Sequence, residues 1–312
     1  MQLHTAYRPN SWDDVVGNQY AVSAVRSALD RGSARSFLFI GEPGLGKTTF
    51  ARLVARHLGF TDEEMLTNYQ EIDGATHTGV DEARAILGKL HLQSIGSRRE
   101  RVVVLDECHM LSKSAWNSLL KSVEEPPAGT YWVFCTTEGS KVPKAIRSRC
   151  QEYDFQPLSD DEIQELLERV LDAEKEDLPD DVFDAVLRAA QGSPRAALVG
   201  LGKVLGVSDI DEAQRLLRTV EASESPEVIG LCRQLAKGVD FQTAAGTVLG
   251  LQGTITADGI RSVVLSYFSK ACTSMQWRRA AAILCAFADP YPPGIGNQLW
   301  PVLVSLANLH DE

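Results

Sequence analysis

Apolar residues recur along this chain in two rhythms. In the first, short unbroken apolar runs alternate with helical spacing. Asn18 to Leu29 reads as a helix, with Val22, Val25 and Leu29 on one face. Phe37-Leu38-Phe39-Ile40 follows and ends in a glycine-rich turn, and helical spacing resumes from Thr48 to Leu58. An apolar run bounded in this way fits a strand buried on both faces of a parallel sheet. Val102-Val103-Val104-Leu105 repeats the pattern, ahead of a helix from Ser112 to Val123 that Glu125-Pro126-Pro127 stops. Tyr131-Trp132-Val133-Phe134-Cys135 is another such strand. Strands alternating with helices predict an α/β doubly wound sheet.

After Phe155 the second rhythm takes over, and it is helical throughout. Ser159 and Glu162 form a capping box ahead of Ile163, Leu166, Leu167 and Val170 on one stripe. Asp180 to Ala190 is a second helix, and Pro194 to Val204, with proline in its first turn, a third. The polar stretch Glu221–Pro226 marks a further boundary, and Ala- and Leu-rich helical spacing continues beyond it. The expected division is an α/β domain over residues 1–155, a helical domain over 156–221 and a second helical domain over 222–312.

Bulk properties narrow the picture. The 312 residues are 44% hydrophobic and 23% charged, an ordinary globular balance. A net charge of −11 predicts no generic attraction to a polyanion, so nucleic acid would have to meet a local basic surface. Cys108, Cys135, Cys150, Cys232, Cys272 and Cys285 lie far apart with no C-x-x-C, so reduced thiols are expected and zinc is not. The N-terminal stretch lacks the parts of a secretory signal, and no apolar run approaches a membrane span. A soluble, cytoplasmic protein with no membrane contact is the expectation.

Chemistry concentrates in the first rhythm. Gly41-Glu42-Pro43-Gly44-Leu45-Gly46-Lys47-Thr48 matches G-x-x-x-x-G-K-[ST] and lies between a predicted strand and a predicted helix. Its glycines let backbone N–H groups converge on a phosphate, and the helix N-terminus adds partial positive charge. ATP is the expected ligand, held by Gly41, Gly44, Leu45, Gly46, Lys47, Thr48 and Thr49. Lys47 would reach the β- and γ-phosphates and the Thr48 hydroxyl would face Mg²⁺. The strand Val102–Leu105 ends in Asp106-Glu107, on the side where ligands bind such sheets. Asp106 would hold the metal and Glu107 polarise an attacking water, although acidic residues also suit a helix start. Asp106-Glu107-Cys108-His109 further spells a helicase signature. The helical remainder is too small for a second helicase core, and His109 reads as a polar contact near the γ-phosphate or as helix packing.

Several motifs then fall in a telling order. Tyr7-Arg8-Pro9, Trp12-Asp13-Asp14-Val15-Val16-Gly17, the phosphate loop, Asp106–Leu111, Glu124-Glu125-Pro126-Pro127 and Ser148-Arg149-Cys150 together resemble the AAA+ clamp-loader ATPases, from Tyr7 to about residue 200. These are the bacterial gamma/tau subunit and the replication factor C small subunits. The resemblance implies an α/β AAA+ P-loop domain followed by a helical lid and a helical C-terminal collar. It implies that Arg149 is an arginine finger for a neighbouring subunit's γ-phosphate, all the more because few carboxylates lie near it in sequence. It makes Thr137 a sensor of the γ-phosphate, Arg195 a second sensor on the lid, and Tyr7, Arg8 and Val16 a surround for adenine. The Glu71–Asp81 segment resembles a loop and helix start that track DNA, so Thr78 and Gly79, with Lys113, become candidate phosphate contacts.

The activity so implied is that of a sliding-clamp loader subunit. ATP binding would drive clamp opening and primer–template DNA binding, and hydrolysis would release the clamp. The partners implied are a sliding clamp, primer–template DNA and the other subunits of a five-membered ring with at least one non-identical member. The cysteine-ligated zinc module of the bacterial subunits has no counterpart here, and the mixed signature suits a phage-encoded loader acting in host cytoplasm. Two other readings stay open: a related AAA+ ATPase of DNA repair, recombination or fork maintenance, and a scaffold subunit without catalysis. Intact Lys47, Thr48, Asp106, Glu107 and Arg149 oppose the scaffold.

Overall fold

The computed structural model describes residues 2–74, 79–90, 100–252, 255–271, 277–289, 291 and 298–310. Two compact units are present: one holds Leu3–Leu166 with Gly192–Pro194, the other Leu167–Gln191 with Arg195–Glu312.

The first unit is built on a five-stranded parallel sheet. Its strands are β1 (Ser36–Ile40), β2 (Tyr69–Asp73), β3 (Arg101–Asp106), β4 (Thr130–Thr136) and β5 (Gln151–Asp154), in the spatial order β2-β3-β4-β1-β5. The period-2 alternation of a strand explains why unbroken apolar runs were needed. Phe37, Phe39, Val102, Val104, Val133 and Cys135 enter one core, and Leu38, Val103, Leu105, Trp132 and Phe134 enter the other. Helix Lys47–His57 supplies Phe50, Leu53 and Val54 to the first core, and helix Lys113–Glu124 supplies Trp116 and Leu119 to the second. The buried Trp132 indole N–H donates to the Ser122 carbonyl at 3.1 Å, so it leaves no orphan donor.

The strands and helices expected from periodicity fall within a residue or so of these bounds. β2 and β5 were not foreseen: YQEID and QEYD carry polar residues because they are the sheet's two edges. The Glu71 segment, expected as a loop, is therefore in part a strand, and its Glu71 carboxylate pairs with Arg52 at 2.7 Å. A one-faced edge strand lacks the apolar run of a central one.

The second unit is helical. Helices Pro226–Lys237, Phe241–Gly250, Ala257–Ala271, Trp277–Ala286 and Trp300–His310 share one core that includes Leu231, Val248, Val264, Phe268, Ile283 and Val302. Its boundaries follow capping rules. Ser225 accepts from the Val228 N–H with Pro226 next to it, and the Asp240 side chain accepts from the Thr243 N–H. Leu299 and Val302 are core, whereas Trp300 is half exposed. No helix among the described residues is long and apolar enough to cross a membrane.

Candidate nucleotide site

β1 delivers the phosphate loop. Gly41 N–H donates to the Thr136 carbonyl at 3.1 Å, tying the loop's start to the end of β4. Gly46 caps the helix Lys47–His57 with φ 94°, a left-handed conformation that a side chain would disfavour. Lys47 is buried, and its Nζ donates to the carbonyls of Gly41 at 2.8 Å and Glu42 at 2.7 Å. Burial lowers its pKa, against the nearby charges of Asp106, Glu107 and Glu42. Leu45 is buried in the first core, while Gly44 takes positive φ and Thr49 is half-buried on the helix.

The Thr48 hydroxyl donates to Asp106 Oδ2 at 2.9 Å, across 58 residues of chain. Helix and strand thus bring a hydroxyl and a carboxylate to one point. Hard oxygen donors of this kind suit Mg²⁺, so the residues present fit that ion. Glu107 follows in a left-handed conformation, φ 46°, strain of the kind that clusters at functional sites. His109, two residues on, has a side chain only 3% exposed, with its Nδ1 3.0 Å from Thr136 Oγ1 and 3.4 Å from Glu107 Oε2. Thr137 comes next after β4, half-buried.

The N-terminal segment is fastened beside the loop's helix. Trp12 packs edge-on to Phe50 with ring centroids 5.4 Å apart, and its Nε1–H donates to His57 Nδ1 at 3.3 Å. Tyr7, Arg8 and Val16 flank that anchor, each half-buried. Asn18 exchanges two hydrogen bonds with the Gln156 backbone, at 3.0 and 2.9 Å.

Arg149 sits on the turn after helix Lys144–Arg147, and here a sequence expectation needs correction. It is not short of carboxylates: its guanidinium bonds Glu124 Oε1 at 2.9 Å and the Ala145 carbonyl at 2.8 Å. Neighbouring Arg147 pairs with Glu152. Sequence distance misled because folding brings the end of helix Lys113–Glu124 against this turn. Lys113 is exposed in the first turn of that helix, and Gly79 precedes helix Val80–Leu90; Thr78 lies outside the described residues. Arg195 is exposed on helix Pro194–Val204, assigned to the second unit.

Thr136 and Glu138 at this rim had no role in the sequence reading, and Gly74 entered it only within the Glu71–Asp81 segment. Thr136 and Glu138 surround His109, and Gly74 lies under the acidic pair, its N–H donating to the Asp106 carbonyl at 2.7 Å. A Cβ on Gly74 would stand 2.7 Å from the Glu107 carbonyl oxygen.

The parallel sheet, the loop after β1 and the acidic pair after β3 define the class as a AAA+ P-loop fold with appended helices. Solved structures agree: the Thermotoga maritima RuvB Holliday junction branch migration motor matches with a TM-score of 0.57 at 21% identity, covering 85% of this chain and 91% of that one. Within that class, residues 60–159 match the family model described as DNA polymerase III, delta subunit. DNA polymerase III subunit gamma/tau of Mycobacterium tuberculosis is 36% identical over 230 residues, covering 67% of this chain and 40% of the relative. Subunit tau of Escherichia coli is 30% identical over 284 residues, covering 80% and 44%. Subunit tau of Bacillus subtilis is 32% identical over 225 residues, covering 66% and 40%. Over the matched residues this chain is similar to these DNA polymerase III gamma/tau and tau subunits, and it spans less than half the length of each of these three.

Proposed function

We propose that this chain is an ATPase subunit of a sliding-clamp loader. The observation that carries the reading is the meeting of Thr48 and Asp106 at 2.9 Å, with Glu107 next in the chain and Lys47 lining the loop. Lys47 would exchange the carbonyls of Gly41 and Glu42 for the β- and γ-phosphate oxygens. Thr48 and Asp106 would hold Mg²⁺, which when bound supplies neutralising charge on those oxygens. Glu107 orients and polarises the attacking water while Thr137 faces the γ-phosphate. Tyr7, Arg8 and Val16 border the adenine, and Arg195 closes over the nucleotide from a lid.

Arg149 serves a site on the neighbouring subunit, so each site is shared. Its pair with Glu124 does not oppose this. The two side chains are 30% and 52% exposed. Such pairs contribute about 0–1 kcal/mol, whereas an arginine finger accelerates turnover by about 10³–10⁵. The finger can therefore leave Glu124 at little cost.

In this reading residues 1–155 form the nucleotide domain, 156–221 the lid and 222–312 a collar that holds a five-membered ring with a non-identical subunit. Thr78, Gly79 and Lys113 meet phosphates of primer–template DNA. Such contacts position without reading sequence, which suits action at any primed junction. The protein would act in the cytoplasm. The likeness to RuvB concerns the fold alone and does not favour branch migration.

The deciding measurement is ATP turnover with and without primed DNA and a cognate clamp. Stimulation by both together is expected. Indifference to the clamp would move the chain to the repair and recombination ATPases.

A further inference from the structure

We infer that His109 is a positioning residue for the Glu107 carboxylate, anchored to β4 by the Thr136 hydroxyl. This rests on the reading of Glu107 as the group that polarises water. The imidazole is nearly fully buried, with a side chain 3% exposed, and a buried polar ring requires partners. Three of its contacts lie at and just beyond the ends of β3 and β4. Nδ1 lies 3.0 Å from Thr136 Oγ1 and 3.4 Å from Glu107 Oε2, and Nε2 lies 3.5 Å from Glu138 Oε1. Plain helix packing would need none of these distances.

The arrangement follows from strand register. Leu105 pairs with Phe134, so the ends of the two parallel strands are level. The turn Cys108–Met110 then carries the ring back between them. Thr136 is itself completely buried and immobilised: its Oγ1 accepts the Glu138 N–H at 3.0 Å and its carbonyl accepts the Gly41 N–H at 3.1 Å. Glu138 is steadied in turn by Lys141 at 2.7 Å, which keeps its carboxyl below the usual range. A continuous series of contacts therefore runs from the first glycine of the phosphate loop through Thr136 and His109 to Glu107. A carboxylate with a fixed ring 3.4 Å from one of its oxygens has less freedom to lose when it must orient a water, and an ångström of misplacement costs on the order of a hundredfold in rate.

The test uses steady-state ATP turnover and nucleotide affinity of the assembled protein with primed DNA, together with the melting temperature of the chain. His109→Phe should lower kcat by about 10–100-fold while leaving KM and nucleotide Kd within about twofold. His109→Gln, which keeps an N–H donor, should recover most of the loss. Thr136→Val, nearly isosteric, should reproduce the loss from the β4 side. In a Glu107→Gln background, His109→Phe should add little, because the group it positions is already disabled. The inference is overturned if His109→Phe raises Kd at unchanged kcat, if its loss is equally large in the Glu107→Gln background, or if Thr136→Val turns over normally. A His109→Phe protein that fails to fold leaves the decision to His109→Gln and Thr136→Val, which must then bracket the wild-type and impaired rates. A wild-type assembly that turns over no ATP would overturn the ATPase reading and this inference together, a result distinct from any variant-specific outcome.

Discussion

The two compact units bury apolar surface by different means, and the contacts among Thr48, Asp106, His109 and Thr136 all lie in the first. In the first, a sheet buried on both faces fixes where every strand ends. The helix after β1 brings Thr48 against Asp106, and the level ends of β3 and β4 bring His109 against Thr136, though these residues are distant in sequence. In the second, helices share a core that includes Leu, Val, Ile and Phe, with Ser225 and Asp240 capping helix starts. A parallel sheet is thus a positioning frame, because hydrogen-bonded register leaves its rim little freedom. A helix bundle tolerates sliding and suits support or assembly better.

That contrast can be broken in several places. The largest effect should come from Arg149→Ala: a loss of about 10³–10⁵ in DNA-stimulated turnover of the assembled protein, with nucleotide binding intact. Normal turnover in single-turnover assays would remove Arg149 from the chemistry. Next come two core truncations with opposite consequences. Trp132 and Phe268 are both almost fully buried, one in each unit. Replacing either by alanine should cost about 3–5 kcal/mol in denaturant unfolding. Trp132→Ala should also abolish ATP binding, whereas Phe268→Ala should spare it in calorimetric titration. Equal losses of binding would mean that the rim depends on both cores.

A smaller effect is expected at Gly74. Alanine there would place its Cβ 2.7 Å from the Glu107 carbonyl oxygen, so the Asp106–Glu107 segment must shift. Overpacking of this kind costs about 1–3 kcal/mol, and turnover should fall more than stability does; a thermal shift without a kinetic one would show that the segment absorbs the strain elsewhere. The smallest effect concerns pH. Burial lowers the Lys47 pKa below its ordinary 10.5, and phosphate beside it would raise it again. Binding then takes up a proton above the lowered value. ATP affinity should fall as pH rises toward 10.5, by at most about tenfold per unit, and stay flat at lower pH. Affinity that rises in that range would contradict the assigned contact.

The central strands and the phosphate loop were legible in the sequence because their signals are local. Unbroken apolar runs mark strands covered on both faces, and the loop's glycines and lysine act within eight consecutive residues. Ser159 and Glu162 are likewise a local pair, and they do bond reciprocally, at 2.8 and 3.3 Å. β2 and β5 escaped notice because edge strands keep polar residues on a solvent side. Glu124 escaped notice as the partner of Arg149 because 25 residues separate them.

By itself the sequence determined that a strand, a phosphate-cradling turn and a helix succeed one another at Phe37–Leu58, since backbone conformation and apolar period are short-range properties. It likewise set an acidic pair behind a second buried strand. Tertiary structure alone decided that Thr48 meets Asp106, that His109 lies buried between Glu107 and Thr136, and that Arg149 rests on Glu124. Those contacts depend on strand order and register, which are set by cooperative burial of both sheet faces. No window of neighbouring residues contains that information.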